Sequence, residues 1–248
     1  MPKLLLRLER QGDLVARKKI VFVIVEGPSD DTALGIIFSR IFDKNKVHVE
    51  IMHGDITSNF SIAPEKIDHF LTALVKQYAK SMHFQQKDFQ QVIHLVDMDG
   101  AYISEDLIVE NKEAVKPIYT VDGLQTANPQ QIKNRNVHKQ AKLDKISALN
   151  KIWVKIPYQV YYMSCNLDHV LYNKQNSADS EKEEDALVFA KRYKDDMSGF
   201  LTFISESEFS VKGSYRESWS FIKQEAHSLN RYSNLGICFE KIFAESKR

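Results

Sequence analysis

The sequence predicts an α/β protein with a parallel, Rossmann-like sheet flanked by helices. Two observations support this prediction. Short, continuously apolar runs rich in β-branched residues are typical of strands that are buried on both faces. These runs alternate with segments of helical periodicity, as in βαβ units with right-handed crossovers. The composition agrees, because 43% hydrophobic and 27% charged residues are ordinary values for a globular domain.

The first predicted strand is the six-residue apolar run at residues 20–25. Residues 26–29 (Glu-Gly-Pro-Ser) turn the chain, and residues 30–42 carry apolar side chains at helical spacing. A strand, a turn and a helix in this order open an α/β unit.

The same pattern then repeats along the chain. Residues 47–52 alternate apolar and polar side chains, which predicts a second strand, and Pro64 opens a helix that runs to about residue 82. Residues 92–96 form a third buried-type strand, which ends at the sequence Asp-Met-Asp-Gly of residues 97–100. We therefore expect at least three parallel strands.

The apolar density falls between residues 117 and 149, where we predict an inserted lid with a helical end. Regular structure returns at residues 152–163, as one or two strands, followed by a helix over residues 167–172. The acidic residues 179–185 are interpreted as a solvated loop and the start of a helix in a mainly helical remainder.

These elements predict three parts of the chain. The parts are an N-terminal arm (1–18), an α/β domain (19–172) with an insertion at about 117–150, and a mainly helical C-terminal region (173–248). The only two cysteines, Cys165 and Cys238, are too few for a disulfide scaffold or a four-thiolate zinc ribbon.

Charge and hydropathy constrain the partners. The 34 basic and 33 acidic residues nearly balance, so binding to nucleic acid depends on where the charge lies and not on its total. No window has the roughly 20 apolar residues of a membrane span, and none resembles a signal peptide. We expect a cytoplasmic protein without a membrane partner.

Carboxylates follow two of the predicted strands. Glu26 follows the first and Asp97 the third, at the strand ends where α/β sheets bind ligands. Strand alternation predicts that Asp97 and Asp99 point to the same side, and Gly100 permits a sharp turn. If the two strands are neighbours, three carboxylates meet without a cation among their sequence neighbours. Their mutual repulsion favours a bound cation, and hard oxygen ligands suit Mg²⁺ or Mn²⁺.

These residues resemble those of a known family. Residues 25–30 (Val-Glu-Gly-Pro-Ser-Asp) resemble the first TOPRIM motif, and residues 96–100 (Val-Asp-Met-Asp-Gly) resemble its DxD motif. The TOPRIM fold is shared by topoisomerases, bacterial primases, RNA-maturation nucleases and OLD-family nucleases. The resemblance covers about residues 19–165. A chain of 248 residues with two cysteines lacks the zinc ribbon and polymerase domain of a primase and the strand-passage domains of a topoisomerase.

Residues 163–172 further resemble the strand-to-helix segment of small defence-associated TOPRIM proteins, the RloB-like and OLD-like group. An acidic residue opens the helix in that group, and here it is Asp168, an aspartate in place of the usual glutamate and without the usual tryptophan after it. Such proteins are often encoded beside an ATPase and act in abortive infection against phage. This chain has no phosphate-binding Gly-x-x-x-x-Gly-Lys-[Ser/Thr] sequence, so an ATPase would act as a separate partner.

The resemblance implies a metal-dependent nuclease that acts on DNA or RNA. Glu26 would be a metal ligand or the general acid/base, and Asp97 and Asp99 would hold Mg²⁺ or Mn²⁺. Asp30 would be an accessory ligand and Asp168 a further candidate ligand. The metal would polarise a phosphate oxygen and activate water, and a second metal would stabilise the leaving oxygen. Asp30 also has a structural interpretation, because acidic residues stabilise the first turn of a helix.

A basic run lies between residues 129 and 145, where five basic residues accompany one acid. Such a run is usually a solvated face, but beside a carboxylate site it would bind a phosphate backbone. The predicted nucleic-acid contacts are Lys133, Arg135, Lys139 and Lys142.

Two other functions fit the same motif. Haloacid-dehalogenase-like phosphatases have a DxDG motif whose first aspartate is the nucleophile, which would be Asp97 here. That motif usually lies on the first strand and precedes threonine, whereas this one follows the third strand and precedes Ala101. The remaining alternative is a TOPRIM-shaped module that binds nucleic acid or protein without catalysis.

Overall fold

The computed structural model describes residues 18–42, 44 and 46–246. The predicted N-terminal arm, residues 1–18, lies outside this part of the chain except for Lys18. The described residues confirm the predicted α/β class, because they form a mostly parallel mixed sheet flanked by helices.

The elements alternate along the chain. The strands are β1 (Lys19–Val25), β2 (Val47–His53), β3 (Phe89–Asp97), β4 (Ile108–Glu110), β5 (Ile118–Thr120), β6 (Gly123–Thr126), β7 (Lys151–Ile152) and β8 (Ile156–Met163). The helices are α1 (Pro28–Ile41), α2 (Ile67–Ser81), α3 (Pro129–Ala148), α4 (Leu167–Tyr172), α5 (Asp179–Tyr193), α6 (Met197–Glu206), α7 (Tyr215–Ile222) and α8 (Leu235–Ser246). One-turn 3-10 helices lie at Pro64–Lys66, Gln86–Asp88 and Glu105–Leu107.

The main sheet has the strand order β2-β1-β3-β8-β7. Its first four strands are parallel, and the short edge strand β7 pairs with β8 in antiparallel fashion. The first and third strands of the chain are therefore neighbours, so the residues that follow them lie at the same edge of the sheet.

Strand β1 is continuously apolar from Ile20 onward because both of its faces are buried there. Its alternate residues contribute to two separate hydrophobic cores, with Val21, Val23 and Val25 in one and Ile20, Phe22 and Ile24 in the other. The first core is completed by side chains of α1, α4, α5, α6 and α8, and the second by side chains of α2, α3 and α7. The sheet is thus the middle layer of the fold.

The segment predicted as a lid begins with two strands that the sequence pattern does not show, β5 and β6, and these pair with β4 just before the segment. Strands β4, β6 and β5 form a separate three-stranded sheet over a small core of Ile108, Leu124 and Ile132. Helix α3 follows, and its Leu143 and Ile146 are buried in the core shared with α2. Strands of three or four residues are too short for a period of two to be recognisable.

The region after β8 is mainly helical, as the sequence predicts, and α4 has the predicted bounds. Helix α1 begins at Pro28, and Gly27 is its N-cap residue. No helix in the described part of the chain is both long enough and apolar enough to cross a membrane.

Candidate functional site

The carboxyl ends of three parallel strands meet at Glu26. This residue follows β1, and its Oε1 accepts a hydrogen bond of 3.0 Å from the backbone N–H of Asp97, the last residue of β3. The hydroxyl of Thr57, in the loop after β2, donates to the same oxygen at 3.4 Å. The structure therefore brings Glu26 and Asp97 into direct contact, as the strand order requires.

The turn after β3 positions Asp99 differently from the prediction. The strand ends at Asp97, and both Asp99 (φ 50°) and Gly100 (φ 65°) have left-handed backbone conformations. Strand alternation therefore does not orient Asp99. The turn is held by backbone hydrogen bonds from Asp99 N–H to Cys165 O (2.8 Å) and from Gly100 N–H to Ser228 O (3.0 Å). Aspartate and glycine adopt this conformation at lower cost than most residues.

Asp97 and Asp99 nevertheless line the same cavity, which has a volume of about 270 Å³. Asp97 Oδ1 is buried, and neither oxygen of this carboxylate accepts a hydrogen bond from the described residues. A buried acceptor without a donor is unfavourable unless water or a cation satisfies it. The Asp97 carboxylate thus lines the cavity with a buried oxygen that no described residue satisfies.

Lys139 supplies the positive charge beside these acids. Its side chain is fully buried on α3, and its Nζ forms an ion pair with Asp99 Oδ2 and lies 4.0 Å from Glu26 Oε1. The ammonium also donates to Ser58 Oγ at 3.1 Å. Burial alone would lower the pKa of Lys139, but Asp99 and Glu26 outweigh it and raise that pKa. Lys139 therefore stays charged.

Asp99 is held by two further groups. Tyr119 on β5 donates its hydroxyl to Asp99 Oδ1 at 3.3 Å. Arg135 on α3 donates to that hydroxyl at 3.2 Å and to the backbone carbonyl of Asp99 at 2.7 Å. Burial disfavours the ionised form of Asp99, but Lys139 and Arg135 outweigh it and hold the pKa below its ordinary value. Asp99 is therefore an oriented, ionised carboxylate.

The neighbouring carboxyls lack such compensation. Burial is the main cause that raises the pKa of Glu26 to about 8, and Lys139 offsets only part of it. The pKa of Asp97 is raised well above its ordinary value by burial and then by Glu26, Asp30 and Asp99. The site therefore has more carboxyl groups than its cations can pair, which favours a bound proton or a further cation.

Asp30 and Asp168 lie beside this group. Asp30 is in the first turn of α1, where its Oδ2 accepts a hydrogen bond of 3.0 Å from Gly27 N–H. Burial, and then the charge of Asp168, raise the pKa of Asp30 to about 6. Asp168 itself is buried in the first turn of α4. The structure thus brings all five predicted acids to one edge of the sheet.

The donor set suits a hard divalent cation, although it does not form a closed cage. In residues 18–42, 44 and 46–246, no three His, Cys, Asp or Glu side chains are arranged so that they could hold a metal ion together. Lys139 bridges Asp99 and Glu26, whereas Asp97 and Glu26 Oε2 accept no hydrogen bonds from the described residues. Mg²⁺ typically takes one or two carboxylates, and water and phosphate oxygens complete its shell. Asp97 and Glu26 fit that requirement.

The predicted nucleic-acid contacts on α3 need correction. Lys139 and Lys142 are fully buried, and the ammonium of Lys142 donates to three backbone carbonyls of the loop at residues 56–59. Arg135 binds the turn at Asp99, and Lys133 pairs with Glu105 at 3.1 Å. These four basic side chains bind other groups of the protein and do not form an exposed basic surface.

The spacing of the basic residues explains this outcome. Arg135, Lys139 and Lys142 follow one another at intervals of four and three residues, so they lie on one face of α3. That face continues through Leu143 and Ile146 into the apolar core. Helical periodicity, when applied to charged residues as well as apolar ones, would have predicted an inward-facing row.

Several residues of the site were not predicted. Thr57 and Ser58 follow β2, and the rule that places ligands at carboxyl ends of parallel strands would have included them. Asp55 in the same loop interacts electrostatically with both Glu26 and Lys139. Tyr119 has no comparable signal, because its strand is only three residues long.

Comparison with protein-family models, with curated proteins and with solved structures found no match to this chain. The function is therefore inferred from the residues of the site.

Proposed function

We propose that this protein is a metal-dependent nuclease of the TOPRIM type, which hydrolyses phosphodiester bonds of DNA or RNA with Mg²⁺ or Mn²⁺. One observation carries the proposal. Glu26 and Asp97 touch at the carboxyl ends of adjacent parallel strands, and the Asp97 carboxylate lines a cavity without a hydrogen-bond donor. This pairing of a glutamate after one strand with a DxD turn after its neighbour supports the resemblance to TOPRIM proteins.

The chemistry of the donor atoms supports a phosphate substrate. A divalent cation bound there would supply Lewis-acid polarisation of a phosphate oxygen. Asp97 and Glu26 would hold the ion, while Asp30 and Asp168 would add negative charge at its side. Glu26 Oε1 is already occupied by the Asp97 N–H, so Oε2 is the atom left for a metal or a proton. Lys139, Arg135 and Tyr119 keep Asp99 ionised and fixed.

The biological setting that we propose follows from residues 163–172. Their resemblance to the RloB-like and OLD-like group supports an effector of abortive infection against phage that works with an ATPase partner. In that setting the nuclease would act only when its partner permits.

A cleavage panel tests the proposed activity. Purified protein is incubated with single-stranded DNA, double-stranded DNA and RNA in the presence of Mg²⁺, Mn²⁺ or EDTA. We expect cleavage only with a divalent metal, and a loss of about a hundredfold or more in Asp97→Asn and Glu26→Gln, because both remove a negative ligand. Asp106→Asn changes an exposed carboxylate outside the cavity and serves as the matched control. Unchanged cleavage by Asp97→Asn would contradict the proposal.

Metal binding has a second readout that does not depend on activity. A ligand that binds only the folded state stabilises it by about 2.7 kcal/mol at a concentration one hundred times its Kd. We expect Mn²⁺ to raise the melting temperature of the wild type and of Asp106→Asn, but not of Asp97→Asn. A phosphorylated Asp97 after incubation with a phosphomonoester would instead support the phosphatase alternative.

A further inference from the structure

Two lysines that reach solvent lie at the rim of the carboxylate cavity, the exposed Lys116 and the half-buried Lys182. Lys116, in the loop between β4 and β5, and Lys182, in the first turns of α5, line the cavity together with Asp97 and Asp99. Their side chains are 62% and 40% exposed. Both therefore reach solvent, unlike the buried Lys139.

These two cations are only weakly neutralised by the protein. Asp179 Oδ1 lies 4.0 Å from Lys116 Nζ and 3.6 Å from Lys182 Nζ, and the Asp179 side chain is 86% exposed. Ion pairs this open to water contribute little, because solvent screens them. Lys182 also acts electrostatically on Asp30 and Asp168. The cavity therefore has a negative floor and a positive rim.

The rim is firmly connected to the floor. The side-chain amide of Asn176, just before α5, donates to Tyr119 O at 2.7 Å, and its Oδ1 accepts from Tyr119 N–H at 2.8 Å. Tyr119 in turn donates its hydroxyl to Asp99. The segments that carry Lys116 and Lys182 are thus held at a defined position relative to the acids, which reduces the entropy lost on binding.

We propose that Lys116 and Lys182 bind the backbone phosphates that flank the scissile phosphate, so that the polynucleotide enters between the β4–β5 loop and α5. This inference rests on the proposed nuclease function and names its substrate contacts. The scissile phosphate would reach the acids on the cavity floor. The flanking phosphates carry the same charge as those acids, and the rim lysines would offset the repulsion between the flanking phosphates and the acids. In this proposal, Lys116 and Lys182 take the place of the nucleic-acid contacts that the sequence predicted on α3.

Binding measurements as a function of salt test the rim contacts. Full-length wild type, K116A/K182A and K191A/K212A are titrated into a labelled oligonucleotide in EDTA, and binding is followed by fluorescence anisotropy. Lys191 and Lys212 are exposed and do not line the cavity, so the second double variant matches the change in charge. We expect K116A/K182A to bind about tenfold more weakly and to reduce the slope of log K against log salt by about 1.4 to 1.8.

Three outcomes would overturn the inference. These are equal losses in the two double variants, affinity and salt slope unchanged in K116A/K182A, and no oligonucleotide binding by the wild type. Retained affinity in K116R/K182R would support it. Cleavage kinetics separate the two proposals. Cleavage with an unchanged KM in K116A/K182A contradicts the rim contacts alone, whereas lysine-dependent binding without any metal-dependent cleavage contradicts only the nuclease function.

Discussion

Lys139 is the residue on which the charge balance of the site depends. It is fully buried, forms an ion pair with Asp99 and lies 4.0 Å from Glu26. Removing one partner of a buried ion pair is costly, because the remaining charge stays in a low-dielectric environment without compensation. The same side chain therefore has a structural role that can be measured apart from catalysis.

We predict that Lys139→Met lowers the free energy of unfolding by about 3 kcal/mol, because Asp99, whose side chain is only 21% exposed, would lose its direct ion pair and keep only Arg135 and Tyr119 beside it. Urea denaturation followed by circular dichroism in EDTA measures this change. Lys133→Met on the same helix is the control, since its pair with Glu105 is partly exposed and is expected to contribute less than about 1 kcal/mol. Equal effects of the two substitutions would show that Lys139 does not hold the site together.

Strand β3 ends at Asp97 of the site and carries a buried titratable group, His94, near its middle. His94 is fully buried in the middle of this strand, and its Nδ1 is 2.8 Å from the hydroxyl of Tyr158 on β8. Its Nε2 has no hydrogen-bond partner among the described residues. Burial lowers the pKa of His94 from 6.5 to about 3, so the folded protein keeps this ring neutral.

Burial of His94 makes the free energy of unfolding of the protein depend on pH. The unfolded chain protonates His94 below about pH 6.5 and the folded chain only near pH 3, so the folded state loses stability as pH falls through that window. We predict that wild type loses about 2 kcal/mol more than His94→Asn between pH 7.5 and pH 5. Urea denaturation at both pH values measures it. His69→Asn, an exposed histidine on α2, should behave like wild type, and an equal pH response of His94→Asn would refute the prediction.

One face of helix α3 carries basic side chains and then apolar ones, and it thereby connects the site to the core. Its first half presents Arg135 and Lys139 to the acidic turn, and Lys142 binds the loop after β2. Its second half presents Leu143 and Ile146 to the apolar core. The apolar end anchors the helix, so the buried cations of the other end are held at fixed positions beside the acids.

On the scale of the whole molecule, the C-terminal helices are part of the main fold. Phe239 on α8 lies with its ring centroid 4.9 Å from that of Phe38 on α1 and 4.7 Å from that of Phe200 on α6. These rings belong to the same core as Val21 and Val25 of β1. Loss of the C-terminal helices would therefore expose one apolar face of the sheet.

We predict that the intact chain unfolds in a single transition, because one sheet supports both cores. Trp153 and Trp219 pack in or against the core of α2, α3 and α7, so tryptophan fluorescence reports that side of the sheet. Circular dichroism reports all helices, including α5, α6 and α8. The two urea curves should coincide. Separate midpoints would show that the C-terminal helices unfold independently.

The sequence by itself determined the class of the fold and the location of two acids. Hydrophobic periodicity is a local property, so the runs that become β1 and β3 are recognisable from neighbouring residues alone. Glu26 and Asp97 follow those strands, and the ends of parallel strands are where ligands bind. Glu26 and Asp97 lie together only if β1 and β3 are neighbours, and the strand order of the sheet confirms that they are.

Only the tertiary structure decided how the negative charges of the site are compensated. Lys139 is 40 residues from Asp99 and Tyr119 is 20 residues from it, and no local pattern joins residues that are so distant. The turn at Asp99 and Gly100 depends on backbone partners in the segment after β8 and in the segment after α7. Such contacts arise when separate elements pack together, so a sequence pattern read over a short window does not contain them.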